Sequence, residues 1–125
     1  MASLYPPQSN HIFDVETLRL PQMRFFGAYV DDVAKGCGGF WRHDGYVEIK
    51  RVWVDPSARG MKLGHQLMAH LELEAKAEGF SIVRLETGIK QPEATALYEK
   101  RSYAYVSPFG DYLADPLSVF MEKAL

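Results

Sequence analysis

The 125-residue sequence predicts one domain, residues 1–125, of mixed α/β (α+β) class, with a mostly antiparallel central sheet and flanking helices. Three observations predict this class. In the first half, aromatic and β-branched residues recur between turn signals at strand-like spacing. After Pro56 the apolar period changes from two to about 3.6. Strand-like and helix-like segments then alternate, which requires a crossover between parallel strands and hence a mixed sheet.

The first half of the chain predicts an antiparallel meander. Pro6 and Pro7 make the opening segment irregular or extended, because proline disfavours helix in itself and in its predecessor. The segment Asp14–Leu18 is expected to form a short helix, capped by its aspartate and closed by Pro21. Three strands are predicted after it: 24–30, 36–41 and 46–54. Asp44-Gly45 is a strong signal for a hairpin between the last two.

The second half predicts two helices that alternate with strands. Leucines at i, i+4 and i+8 from Leu63 form one helical stripe, and Gly79 supplies a C-terminal stop. Pro92 suits the first turn of a second helix that ends near Arg101. The remaining predicted strands are 82–87, 103–106 and 117–122.

Composition and charge exclude several function classes. A single cysteine cannot form an intramolecular disulfide or a multi-cysteine zinc site. The net charge of −2 gives no general attraction to nucleic acid or anionic lipid. No apolar run approaches the ~18 residues of a membrane span, and the N-terminus lacks the basic start and apolar core of a signal peptide. We therefore expect a cytoplasmic protein with no nucleic-acid partner and no membrane partner.

The segment from Pro56 to Leu71 contains cations but no carboxylate. Its basic side chains are Arg59, Lys62, His65 and His70. The first turn of a helix normally attracts Asp or Glu to its positive dipole end, so cations there indicate an external anion. Gly60 and Gly64 let the backbone approach such a ligand closely. Phosphate or pyrophosphate is the expected anion, and a solvated basic patch with a flexible loop is the alternative. The Walker and G-x-G-x-x-G patterns are both absent, which excludes the common NTPase and Rossmann classes.

This segment resembles the acetyl-CoA motif of the Gcn5-related N-acetyltransferase (GNAT) superfamily. That motif runs from a strand through Val-x-Pro to Arg/Gln-x-x-Gly-x-Gly/Ala and a helix. Val54, Pro56, Arg59 and Gly64 match it, whereas Lys62 stands where the first glycine is usual. The resemblance implies that main-chain amides near 59–65 hold the CoA pyrophosphate. The cofactor-binding residues that it implies are Val52, Val54, Arg59, Gly60, Met61, Lys62, Leu63, Gly64, His65 and Gln91.

A second block resembles the family's later motif, Asn-x-x-Ala-x-x-Leu-Tyr-x-x-x-Gly-Phe/Tyr. The matching residues are Ala94, Leu97, Tyr98 and Tyr103, while Gln91 and Ser102 replace the usual Asn and Gly. The resemblance covers nearly the whole chain. It implies the acyl-CoA N-acyltransferase fold, acetyl-CoA as co-substrate, and direct attack by a primary amine in a ternary complex. A non-catalytic acyl-CoA-binding module is the alternative function.

Catalytic roles follow from the resemblance. The backbone N–H of Val52 would face the acetyl oxygen, Val54 would pair with the pantetheine arm, and Tyr98 stands at the general-acid position. Glu48 is the candidate base, because strand alternation would put it on one face with Val52. Glu86 on the neighbouring strand is the alternative base. Tyr98 as a packing aromatic, and Glu48 as a charged cross-strand partner, are the structural alternatives.

Other reactive side chains suggest no further chemistry. A lone strand cysteine such as Cys37 is usually a small packed residue, so we do not expect a nucleophile. His65 and His70 are five apart, off the spacing of a helical metal pair, and we expect no metal. The acceptor is expected to be a small-molecule amine or an amino acid. Candidate residues for its cleft are Tyr5, Asn10, His11, Phe109 and Tyr112.

The chain is short for this family, whose members usually begin with a further strand and long helix of ~20–30 residues. We therefore expect an N-terminally shortened fold. Without the first strand, the strand at 24–30 would be a long aromatic sheet edge, which favours association. A homodimer or another cover for this edge is the resulting prediction.

Overall fold

A computed structural model of the protein describes residues 10–14 and 21–125, without the side chains of residues 10, 11, 13, 14 and 59–61. The elements in chain order are β1 Asn10–Asp14, β2 Met23–Val30, β3 Val33–Arg42, β4 Val47–Val54, a 3-10 helix Pro56–Met61, α1 Leu63–Ala77, β5 Ile82–Gly88, α2 Pro92–Lys100, β6 Ala104–Val106 and β7 Ser118–Ala124. The predicted class and the two helices predicted for the second half of the chain are confirmed. No helix among the described residues is long and apolar enough to cross a bilayer.

The described strands form one sheet in the order β1-β2-β3-β4-β5-β7-β6. Among them, only β4 and β5 run parallel, and α1 makes the crossover that joins them. The other neighbours are antiparallel. The prediction of a mixed, mostly antiparallel sheet is therefore confirmed.

The sheet has two unlike faces. The helix face, which includes Val47, Ile49 and Leu85, packs against the leucine stripe of α1 in the main core. Burial of each such large apolar side chain stabilises the fold by about 1.5–3 kcal/mol, which fixes α1 on this face. The loop face, which includes Glu48 and Phe120, is covered in part by the segment between β6 and β7.

The N-terminal region differs from the prediction. Asp14 is the last residue of β1, where it pairs with Phe26, so its assignment as a helix cap is wrong. His11 also lies in this strand, opposite Tyr29. Pairing along β2 outweighs the local capping preference of an aspartate, because a strand partner satisfies several backbone groups at once. Residues 15–18 of the predicted short helix lie outside the described residues.

β1 also changes the interpretation of the sheet edge. It pairs with β2 from Asn10↔Val30 to Asp14↔Phe26, so β2 is not an edge strand. The prediction of an exposed aromatic edge at 24–30 is wrong for this reason. The homodimer loses that physical basis and stays a prediction.

Candidate active site

A cleft opens where β4 and β5 separate. Their pairing is confined to Val47↔Val83, Glu48↔Arg84 and Ile49↔Leu85. Beyond these pairs β4 continues to Val54 and β5 to Gly88 without contact in the ladder. The resulting cleft has a volume of about 1320 Å³. Beyond Ile49, this edge of β4 has no strand partner among the described residues, so an extended ligand can pair with it.

A β-bulge interrupts β4 within this cleft. Arg51 has a φ of 58°, in the left-handed region. On either side of it the register changes from Gly39↔Lys50 to Cys37↔Trp53, which places one extra residue on β4. Beyond the bulge, every side chain of β4 points to the face opposite to the one that simple alternation predicts.

The bulge separates the two residues that we predicted to share a face. Val52 lies on the helix face, because a Cβ on Gly38 would meet both Val52 Cγ2 at 3.1 Å and Leu67 Cδ2 at 3.3 Å. Glu48 lies on the loop face with Tyr112. The prediction of a shared face is therefore wrong, although both residues line the cleft.

Glu48 is a buried carboxylate at the inner end of the cleft, 3% exposed. Its Oε1 lies 2.9 Å from Nε2 of His43, and its Oε2 accepts a 2.5 Å hydrogen bond from the hydroxyl of Tyr112. Burial and the hydrogen bond to Glu48 raise the pKa of the Tyr112 hydroxyl above its ordinary value. His43 is about one third exposed and is not among the cleft residues. It therefore connects the carboxylate to solvent on the side away from the cleft.

Glu86, the alternative base, also lines the cleft. It follows Leu85 on β5, so its side chain is on the loop face like that of Glu48. Its Oε2 accepts a 2.7 Å hydrogen bond from the hydroxyl of Ser118. The loop face of the cleft thus carries two carboxylates, each fixed by a hydrogen bond from a hydroxyl group.

Tyr98 approaches the cleft from α2 on the helix face. It is 6% exposed, belongs to the main core, and packs against the ring of Tyr103 with centroids 5.7 Å apart. Its hydroxyl makes no hydrogen bond with any residue of the described ranges. Burial raises the pKa of Tyr98 to about 12. The side chain is therefore a neutral hydrogen-bond donor at physiological pH, beside a cleft that it lines.

The start of α1 forms the far end of the cleft. The 3-10 helix Pro56–Met61 leads into Lys62, which has a left-handed φ of 58° and precedes α1. The first turn of α1 has neither a side-chain cap nor an acidic residue. Its orphan N–H groups and the positive dipole end therefore suit an anion.

Most of the predicted cofactor-binding residues lie around the cleft. Those that line it are Val52, Val54, Lys62, Gly64, His65 and Gln91. Leu63 is fully buried against Ala28 and Val30 in a second core cluster, so only its backbone can face a ligand. Arg59, Gly60 and Met61 form the end of the 3-10 helix, and their side chains lie outside the described residues.

The predicted acceptor residues separate into two groups. Tyr112 lines the cleft, whereas Phe109 is buried against Tyr46 and Phe120 and supports the loop. Tyr5 lies outside the described residues, as do the side chains of Asn10 and His11.

Sequence reasoning missed His43, Lys50, Trp53 and Ser118 as site residues. For His43 a signal exists, since a hairpin turn at Asp44-Gly45 brings it close to Glu48.

The sequence predicts neither a nucleophilic Cys37 nor a metal ion at the site. Burial raises the pKa of the Cys37 thiol, although Arg51 acts in the opposite direction. The thiol donates a hydrogen bond of 3.4 Å to the carbonyl of Arg51, which disfavours a nucleophile. Within the described part of the chain, no three His, Cys, Asp or Glu side chains are grouped to hold a metal ion.

A sheet that opens between two parallel strands, above an uncapped helix start, defines an acyl-CoA acyltransferase fold. A solved structure from Klebsiella pneumoniae, a candidate acyl-CoA N-acyltransferase, superposes with a TM-score of 0.86 and 36% identity, over 93% of this chain and 97% of that one. The model of the acetyltransferase (GNAT) family matches residues 2–103. The chain therefore belongs to the GNAT acetyltransferase family.

Two further relatives extend the comparison. An IAA acetyltransferase of Azospirillum brasilense is 45% identical over 100% of this chain and 83% of its own length. A PaiA N-acetyltransferase of Thermoplasma acidophilum, solved in complex with coenzyme A, has a TM-score of 0.74 at 21% identity, over 83% of this chain and 62% of that one. At that identity the second likeness describes the fold alone.

Proposed function

We propose that the protein is an N-acetyltransferase that transfers the acetyl group of acetyl-CoA to a primary amine of a small molecule or an amino acid. One observation carries the proposal. The cleft joins Glu48 on the loop face to Tyr98 on the helix face, so a base and an acid reach one space from opposite sides of the sheet. An amine that enters from the loop face meets a thioester bound from the helix face.

The cleft suits acetyl-CoA along its length. The free edge of β4 around Val54 can pair with the pantetheine arm, and the amides at the start of α1 can bind the pyrophosphate. Gln91, at the start of α2, lines the same space. The cationic lining residues that would attract the phosphates are Arg51, Lys62, Lys90 and Lys100.

The reaction forms one C–N bond and breaks one C–S bond. Glu48 accepts the proton that the amine loses, and Tyr98 donates a proton to the sulfur as it leaves. The backbone N–H of Val52, at the bulge and without a register partner on β3, is suited to donate to the acetyl oxygen. Exchange with solvent, for Glu48 by way of His43, then restores both side chains. One proton has moved from nitrogen to sulfur, with no change of oxidation state.

The test measures thiol release from acetyl-CoA over a panel of primary amines, together with calorimetric binding of acetyl-CoA. We expect release with at least one amine and its loss in Tyr98→Phe at unchanged acetyl-CoA affinity. Binding without turnover on any amine would indicate the acyl-CoA-binding module, and absence of binding would contradict both functions. A cytoplasmic location and the absence of nucleic-acid and membrane partners stay predictions.

A further inference from the structure

Two side chains on the loop face of β4 have no role in the proposed chemistry. Lys50 and Trp53 both line the cleft. Lys50 is two residues from Glu48, on the same face, with its Nζ 3.7 Å from Glu48 Oε2. Beyond that ion pair, Lys50 makes no hydrogen bond with any residue that the structure describes, and its side chain is 39% exposed. An ammonium group therefore stands beside the candidate base with donors available to a ligand.

Trp53 reaches this face only because of the bulge. Its register partner is Cys37, which alternates with the helix-face positions Gly36 and Gly38. Trp53 is 50% exposed and lines the cleft, so part of a large apolar side chain borders it. Such a ring offers apolar contact and a stacking surface to a ligand.

On the loop face, near Glu48, the cleft carries charges of both signs. Glu48 and Glu86 are negative, and Lys50 is positive. The neighbouring cation Arg84 is already neutralised by Glu122 at 2.7 Å. A simple amine and a diamine would both leave Lys50 without an anionic ligand partner. An amine with an adjacent carboxylate complements both signs.

We infer that the acceptor is an α-amino acid with an apolar, preferably aromatic, side chain. Its amine lies beside Glu48, its carboxylate binds Lys50, and its side chain contacts Trp53. This inference rests on the proposed function and specifies its acceptor. The ammonium–carboxylate contact is charge-assisted, so its loss has a measurable effect on affinity.

The test compares L-phenylalanine with 2-phenylethylamine, which differ only by the carboxylate. Calorimetry with the full chain saturated with CoA measures the binding of each amine without turnover. We expect L-phenylalanine to bind at least tenfold more tightly, and we expect this preference to disappear in Lys50→Met and to persist in Lys50→Arg. A Trp53→Ala variant is expected to weaken L-phenylalanine severalfold while leaving L-alanine unchanged.

Several outcomes would overturn the inference. These are equal or tighter binding of 2-phenylethylamine, a preference that persists in Lys50→Met, and no binding of either amine to the CoA-loaded protein. Lys50 is partly exposed, so Lys50→Gln provides a second soluble replacement, and thermal melting monitors the fold of each variant. Failure to bind CoA would instead contradict the proposed function, so the two failures are distinguishable.

Discussion

The hydroxyl of Tyr112 donates a 2.5 Å hydrogen bond to Oε2 of Glu48, although 64 positions separate the two residues in the chain. This contact joins the loop between β6 and β7 to the middle of the sheet. Phe109 and Phe120 pack around the tyrosine ring, with centroids 5.4 Å from it. The loop therefore shields the carboxylate from bulk water and fixes its direction towards the cleft.

We expect Glu48→Gln to lower kcat by about 10²–10⁴-fold, because the amide cannot accept the amine proton. The amide keeps the size of the side chain and an oxygen for Tyr112, so the affinity for acetyl-CoA is expected to stay the same. Steady-state thiol release and calorimetry measure the two quantities. Glu86→Gln distinguishes the alternative base, and Glu122→Gln, outside the cleft, is the matched control. A larger loss of kcat in Glu86→Gln than in Glu48→Gln would indicate that Glu86 is the base.

Tyr98→Phe is expected to lower kcat by a similar factor, about 10²–10⁴, without loss of stability. The Tyr98 hydroxyl has no hydrogen-bond partner among the described residues, so its removal breaks no internal contact. Tyr103→Phe is the matched control, since it removes the 2.9 Å bond to buried Glu72 and costs about 1–3 kcal/mol of stability. Chemical denaturation and thiol release separate the two effects. Equal effects of both variants on kcat would contradict a catalytic role for Tyr98.

The raised pKa of Tyr98 gives a prediction about pH. With a pKa of about 12, the hydroxyl stays protonated up to roughly pH 11, so its donor form is present across the working range. We expect no alkaline decline of kcat from this residue below about pH 11. The measurement is a pH profile of kcat for the wild type, with unfolding followed in parallel. A decline of kcat below about pH 11 that is present in the wild type and absent in Tyr98→Phe would contradict the expectation.

Lys62→Gly is expected to stabilise the protein by about 0.5–1 kcal/mol. A side chain at a φ of 58° costs about 1–2 kcal/mol, which exceeds the added entropy of glycine in the unfolded chain. Lys62→Ala removes the same charge but keeps a Cβ, so no gain is expected from it. Urea denaturation compares the two variants. Equal stability of Lys62→Gly and Lys62→Ala would show that the left-handed backbone is not the cause.

Periodicity and turn chemistry predicted most of the fold, because those signals are local. The leucine stripe from Leu63 predicted α1, and Asp44-Gly45 predicted the turn between β3 and β4. The left-handed Lys62 explains why the related motif prefers glycine there, a feature that the sequence resemblance showed only as a mismatch. The N-terminal strand was missed because it does not form a tight hairpin with β2: its paired residues lie 12 to 20 positions away, from Asp14↔Phe26 to Asn10↔Val30.

The candidate site was less predictable, because its geometry depends on non-local contacts. The bulge at Arg51 has no glycine or proline to mark it, yet it decides which face Val52 and Trp53 occupy. The contact of Tyr112 with Glu48 depends on how a turn-rich loop folds over the sheet. Tyr98 and the start of α1 could be proposed from their positions in the motifs. The residues that surround Glu48 could be identified only from the structure.

Glu72 gives a prediction for acid stability. It is buried on α1, with Arg101 at 2.7 Å and Lys123 at 2.8 Å. Although burial acts to raise it, the hydrogen bonds from Arg101, Lys123 and Tyr103 hold the pKa of Glu72 below its ordinary value of 4.5. A carboxyl with a lower pKa in the folded state stabilises that state above the unfolded pKa, and the stabilisation is lost as the pH falls through the folded pKa.

Glu72→Gln is therefore expected to lower the free energy of unfolding by about 2–4 kcal/mol at pH 7, because it leaves two partly buried cations without their partner. Below about pH 4.5 the difference from the wild type should begin to shrink, because the carboxyl of the unfolded chain gains a proton first. The charge contribution should be lost once the pH falls through the lower pKa of the folded state. Urea denaturation between pH 3 and pH 7 measures both quantities. Glu122→Gln, which removes a more exposed ion pair with Arg84, is expected to cost at most about 1 kcal/mol. If the difference in the free energy of unfolding between Glu72→Gln and the wild type did not change with pH, the destabilisation would come from packing rather than from charge.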